Sequence, residues 1–131
     1  MKDLILVFDC SAVTDAIVLE CLANDQSLAR DTVAFSSEQS QHLLSSVQQV
    51  CATAHVSFNE LAGIALIYGG ERFTVSRLGA VTANALAWSQ QIPVCGFESR
   101  VPAEDMLRAF NEVVPGTPVI PRYSKEPNIT I

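Results

Sequence analysis

Residues 64–93, IALIYGGERFTVSRLGAVTANALAWSQQIP, constrain the fold more than any other stretch. A short apolar run, Ile64–Tyr68, stops at Gly69-Gly70, where glycine permits the positive φ of a tight turn. A polar corner follows, and then about four turns of small residues that end before Pro93. Val94-Cys95-Gly96-Phe97 is a second apolar run. Strand, turn, helix, strand is a βαβ unit, whose crossover is right-handed in nearly all folds. Thr74 or Ser76 is placed to cap the helix, Val75–Gln90. That helix is apolar or small on most sides, through Leu78, Gly79, Ala80, Val81, Ala83, Leu86 and Ala87. Such a helix is expected to be covered on most sides, by the sheet and by a second helix or chain.

The chain before this unit reads as three strands and a helix. Leu4–Phe8 is an apolar strand that ends at Asp9-Cys10-Ser11. Ala12–Leu22 and Ser27–Phe35 read as two more strands, with Asn24-Asp25 as the turn between them. Short links make this an antiparallel meander with the first strand in the middle. Ser36-Ser37 is placed to cap a helix over Gln39–Ala54. Its buried face is Leu43, Leu44, Val47, Val50, Cys51 and Ala54. Its other face, Gln41, Ser45, Gln48, Gln49 and Thr53, is polar but uncharged, unlike a solvated face rich in Lys and Glu, and so suits contact with another protein. Ser57-x-x-Glu60 is a capping box over one short turn. After Phe97, Pro102 suits a first helical position, and Met106, Leu107, Phe110, Val113 and Val114 give an amphipathic helix up to Pro115-Gly116. Pro118, Pro121 and Pro127 make the remainder an extended tail.

At 131 residues the chain suits one α/β domain, a mixed five-stranded sheet in the order β-β-β-α-β-α-β with a C-terminal helix. No apolar run approaches a membrane span, and Leu4–Phe8 is too short and too early for a signal peptide, so a cytoplasmic location is expected. The net charge of −6, 8 basic residues against 14 acidic, argues against a direct grip on nucleic acid by this chain alone. Cys10, Cys21, Cys51 and Cys95 form no C-x-x-C pair and have apolar or small neighbours, which reads as buried reduced thiols. Zinc would need clustered ligands, and only His42 and His55 could assist, so no metal site is expected. His42 reads as a solvated imidazole.

The run Gly69-Gly70-Glu71-Arg72-Phe73-Thr74-Val75-Ser76-Arg77-Leu78-Gly79 resembles the GPGSFTGLRIG segment of the TsaB (YeaZ) family. Gly69, Phe73, Thr74, Arg77 and Gly79 match; Glu71 and Val75 stand where the family has glycine, and Ser76 where it has leucine. Asp9-Cys10-Ser11 is similar to the family's Asp-Thr-Ser. Ser40, Leu43 and Leu44 match its His-Ser-x-x-Leu-Leu-Pro pattern, with Gln39 and Ser45 as departures. Pro121–Pro127 resembles its Pro-x-Tyr-x-Arg-x-Pro segment, with Lys125 in place of Arg. The resemblance covers Leu4–Ser99 and returns in the tail.

The resemblance implies one RNase H-like lobe of the actin-like ATPase superfold over residues 1–99, with residues 100–131 as the remnant of a second lobe. It implies a non-catalytic partner of a TsaD-type protein, working with TsaE and TsaC to make threonylcarbamoyladenosine in tRNA. No cofactor and no catalytic residue are expected. Asp9, Ser11, Gly69, Gly70, Thr74 and Arg77 would be a vestigial phosphate turn, in which Glu71 repels an anion and Val75 blocks close approach. The plainer reading of Asp9 is a carboxylate satisfied by local N–H groups. Ser40, Leu43, Leu44, Val47, Gly79, Ala80, Ala83 and Ala87 would meet the partner, or a second copy in its absence. The competing readings are a small ATPase or phosphotransferase and an orphan homodimer. A peptidase reading lacks both a His-x-x-x-His pair and a credible triad.

Overall fold

The computed structural model describes residues 3–34, 42–68 and 73–120, though not the side chains of Phe73 and Thr74. Five strands, β1 Leu4–Asp9, β2 Ala16–Ala23, β3 Gln26–Ala34, β4 Leu61–Ile67 and β5 Val94–Phe97, form one sheet in the order β3-β2-β1-β4-β5. The β1–β2 and β2–β3 pairs are antiparallel, and the β1–β4 and β4–β5 pairs are parallel. The meander, the central place of β1 and the β4-helix-β5 unit are as the sequence predicts. β1 reads as a continuous apolar run because it is buried on both faces.

Among the described residues the three α-helices are α1 Leu43–Thr53, α2 Phe73–Gln90 and α3 Ala103–Phe110. α1 lies on β2 and β3, and α2 on β2, β4 and β5. Both helices contribute to one apolar cluster against Leu6, Phe8, Ile17, Leu19, Cys21, Ile64 and Leu66. α3 covers the opposite face, where Ala103, Met106 and Phe110 pack on Ile5, Val7, Leu22, Ala65 and Ile67. Side chains alternate across each strand, so odd positions of β1 feed one cluster and even positions the other. Gly63 lets α3 approach, since a Cβ there would stand 2.7 Å from the Phe110 ring.

α1 and α2 end alike. His55 and Gln91 take positive φ, 58° and 54°, just past each helix. The following N–H reaches back to the helix, Val56 N to Cys51 O at 2.9 Å and Ile92 N to Ala87 O at 3.0 Å. This is the Schellman ending, built here without glycine. The Ser57–Glu60 capping box forms, over a short 3-10 turn at Phe58–Glu60.

Several boundaries differ from the sequence reading. Residues 11–15 are bends and turn, so β2 begins at Ala16 rather than Ala12. α2 begins at Phe73, so neither Thr74 nor Ser76 is its cap, and Ser76 lies buried inside the helix. Pro102 is the N-cap of α3 rather than its first residue, with ψ at 152°. α3 stops at Phe110, and Val114 beyond it is exposed. The Ser36-Ser37 cap, Ser40, the Gly69–Arg72 corner and the tail from Pro121 lie outside the described residues.

Candidate functional site

The carboxylates of Asp9 and Glu20 lie on the face that α3 covers. Antiparallel pairing sets Val7 opposite Glu20 and Asp9 opposite Val18, so the two acids sit diagonally on neighbouring strands. Both are buried, the second amid the apolar run of β2. Two buried carboxylates require a cation or donors. Arg100, from the link between β5 and α3, supplies the cation. Its Nη2 donates to Glu20 Oε1, and its Nη1 lies 3.7 Å from Asp9 Oδ2. Asp9 Oδ1 accepts from Ser11 N at 2.9 Å and from Ser11 Oγ at 2.6 Å. Asp9 is thus satisfied by local donors on one oxygen and faces an internal guanidinium on the other.

A shallow open cavity of about 370 Å³ adjoins this cluster, lined by Glu20, Leu22, Asp25, Arg100, Val101 and Pro102. Asp25, on the β2–β3 turn, accepts from Ala103 N at 2.8 Å and so caps α3 from another element. Pro102 has no side-chain acceptor for that task. The carboxylates of Glu20 and Asp25 against the one guanidinium of Arg100 leave the rim net negative, a poor seat for a phosphate. Among the described residues, no three His, Cys, Asp or Glu gather as a metal site.

Of the expected phosphate-turn set, the structure brings together Asp9 and Ser11. Arg77 is exposed on α2, and Gly69, Gly70 and the Thr74 side chain are outside the description. Cys10 points the other way, into the α2 face, with its thiol 3.8 Å from Val75 O. Burial, and secondarily the Asp9 charge, push that thiol up to about 12. A Cβ on Gly79 would come within 2.9 Å of Cys10 Sγ, so this glycine brings α2 onto the end of β1.

The expected partner set divides differently. Leu43, Val47, Ala80, Ala83 and Ala87 are buried in the chain's own core, and Gly79 is buried against Cys10. The small residues of α2 fit the sheet rather than an outside helix. Leu44 alone of the described members reaches solvent, at 49%. The open side of α2 carries Arg77, Val81, Ala85 and Trp88, with Val81 62% and Trp88 68% exposed. Their spacing of three or four residues puts them on one stripe. Arg100 escapes the sequence reading altogether. Its signal is Glu20, a charge inside an apolar strand, which demands a cation that spacing alone does not locate.

Fold and site together define an α/β lobe of RNase H-like type, whose strand-end carboxylate is neutralised from within. No family model matches the sequence, and no curated protein matches it. Solved structures do. YeaZ from Pseudomonas aeruginosa is similar at 25% identity and a TM-score of 0.62, over 74% of this chain and 44% of that one. An uncharacterized protein with similarity to peptidase YeaZ from Pseudomonas aeruginosa gives the same identity and TM-score, over 74% of this chain and 43% of its own. The chain therefore has a YeaZ (TsaB)-like fold, and it spans less than half the length of either structure.

Proposed function

We propose that the chain is a non-catalytic binding partner of a TsaD-type protein in the synthesis of threonylcarbamoyladenosine in tRNA. The observation that carries this reading is the apolar stripe on α2, Val81, Ala85 and Trp88, exposed on a YeaZ-like lobe. Exposed valine and tryptophan on one helix face suit burial against a partner, and Trp is enriched where partners meet. Leu44 on α1 is a further exposed apolar residue on the same side of the sheet. In the absence of TsaD, a second copy of the chain takes this face.

The cluster at Asp9 supports a non-catalytic role. Arg100 already pairs with both Asp9 and Glu20, and the net negative rim disfavours nucleotide phosphates. The net charge of −6 leaves contact with tRNA to the partner.

The test is co-elution with the cognate TsaD-type protein in size-exclusion chromatography. Wild type is expected to co-elute, and Val81→Arg to elute alone while keeping its circular dichroism spectrum. A wild type indifferent to the partner overturns the proposal. Full binding by Val81→Arg and Trp88→Ala places the interface off α2.

A further inference from the structure

We propose that Cys21 and Cys51 are an oxidisable dithiol, which a peroxide closes to a disulfide that staples α1 onto β2. Cys21 is on β2, opposite Leu6 of β1 and Ala29 of β3, and belongs to the face that α1 covers. Cys51 is in the last turn of α1. Their sulfurs stand 3.8 Å apart, although 30 residues separate them in sequence. A disulfide needs about 2.05 Å, so the two sulfurs must draw together from 3.8 Å as the bond forms. The other two thiols are elsewhere. Cys10 packs by Val75 and Gly79 under α2, and Cys95 lies on the opposite face with α3. All four thiols are free in the structure.

Both sulfurs are buried, so reaction requires an opening, and α1 is the element placed to open. Its N-cap residue, His42, makes no side-chain cap bond, and neither end carries a charge that favours the helix dipole. The helix has only 11 residues and draws its stability from packing. One of the two strands beneath it is β3, an edge strand with a single buried residue, Val33. Among the described residues, α2 and α3 are held by more: Asn84 clamps Val119 with two hydrogen bonds, and Asp25 caps α3. Regions with few such ties open locally at a fraction of the global unfolding cost.

Either thiol can donate to the other, so position and hydrogen bonding together sort their roles. With Cys21 as the donor, the bond pushes the Cys51 thiol below its ordinary value, against burial. The same bond, then burial and the nearby Cys51 and Glu20 charges, push Cys21 up. Cys51 also rides on α1, the element that opens, and is therefore assigned as the attacking sulfur. Its thiolate attacks one peroxide oxygen; the S–O bond forms, the O–O bond breaks, and hydroxide leaves to become water. The Cys21 sulfur then attacks the sulfenic sulfur of Cys51. The S–S bond forms, the S–O bond breaks, and the Cys21 proton leaves with the hydroxide as the second water. Two thiols are oxidised by two electrons and one hydrogen peroxide is reduced to two waters.

The test is hydrogen peroxide treatment of the folded wild type, followed by alkylation in denaturant and peptide mass spectrometry. The expected product is a Cys21–Cys51 linked peptide lighter by two hydrogens, with Cys10 and Cys95 alkylated. Tm is expected to rise by several degrees and to return on adding dithiothreitol, because the link restricts the unfolded chain. Cys51→Ala is expected to abolish the link; Cys10→Ala with Cys95→Ala is expected to retain it. Full alkylation of Cys21 and Cys51 after peroxide, or a link through Cys10 or Cys95, overturns the proposal. So does oxidation of Cys51 to sulfinic acid without a disulfide.

Discussion

The two faces of the sheet are closed by different means. The α1/α2 face is a large cluster of aliphatic and aromatic side chains with thiols and small residues filling the gaps. Its cohesion is burial and close fit, which is non-directional and spread over many residues. The α3 face has a smaller apolar cluster, and beside it a polar one: Asp9, Glu20 and Arg100, with Asp25 capping the helix. There a few directional contacts position an eight-residue helix. The first face should therefore fail through packing, and the second through loss of single partners.

The largest expected effect lies on the first face. Ala83 is fully buried beneath α2, while Val81, two residues earlier, is 62% exposed. Ala83→Arg forces a long charged side chain into a filled core and should cost at least about 4 kcal/mol, enough to unfold a marginal domain. Val81→Arg should change stability by less than about 0.5 kcal/mol. Urea denaturation of the two variants checks this directly. Equal losses would mean that α2 turns a different side to the sheet.

On the second face the lever is Arg100. Arg100→Ala leaves Asp9 and Glu20 buried without their cation. Breaking a fully buried pair costs about 3–5 kcal/mol, and the 43% exposure of the Arg100 side chain lowers the expectation to about 2 kcal/mol. Adding Glu20→Gln to Arg100→Ala should recover part of the loss, since the orphaned charge is then gone. If the double variant is less stable than Arg100→Ala alone, Glu20 owes its stability to something other than Arg100.

The same contrast explains what the sequence reveals. Apolar runs and spacing give the five strands, their meander and the three helices of the described residues, because each rests on neighbours close in sequence. The polar contacts of the second face do not show, for Arg100 reaches Glu20 across 80 residues and Asp25 reaches Ala103 across 78. Nor does the open side of α2. When nearly every residue of a helix is small or apolar, composition does not say which stripe meets the sheet, and Ala83 and Val81 look interchangeable until the fold orients them. Resemblance in sequence points to the YeaZ-like lobe, yet most of the interface residues it suggests serve the core.

The smallest expected effect tests whether α3 depends on a cap borrowed from the hairpin. Asp25 sits on the β2–β3 turn, after Asn24 at φ 55°, and its Oδ1 accepts from the first N–H of α3 at 2.8 Å. Pro102 fixes the entry angle but offers no acceptor, so without Asp25 that N–H turns to water or goes unpaired. Glu104 and Asp105 still favour the positive end of the helix, and Arg108 pairs with both, at 3.1 and 3.4 Å. These exposed pairs contribute little and leave the cap as the main polar tie. Asp25→Ala should therefore cost about 1 kcal/mol, as helix caps commonly do, and Asp25→Asn, which keeps an acceptor, less than half of that. The loss should be local: amide exchange should accelerate through Ala103–Met106 and remain unchanged in α1, on the opposite face. Faster exchange in α1 as well would show that the two faces open together, and the contrast between them would then describe composition rather than stability.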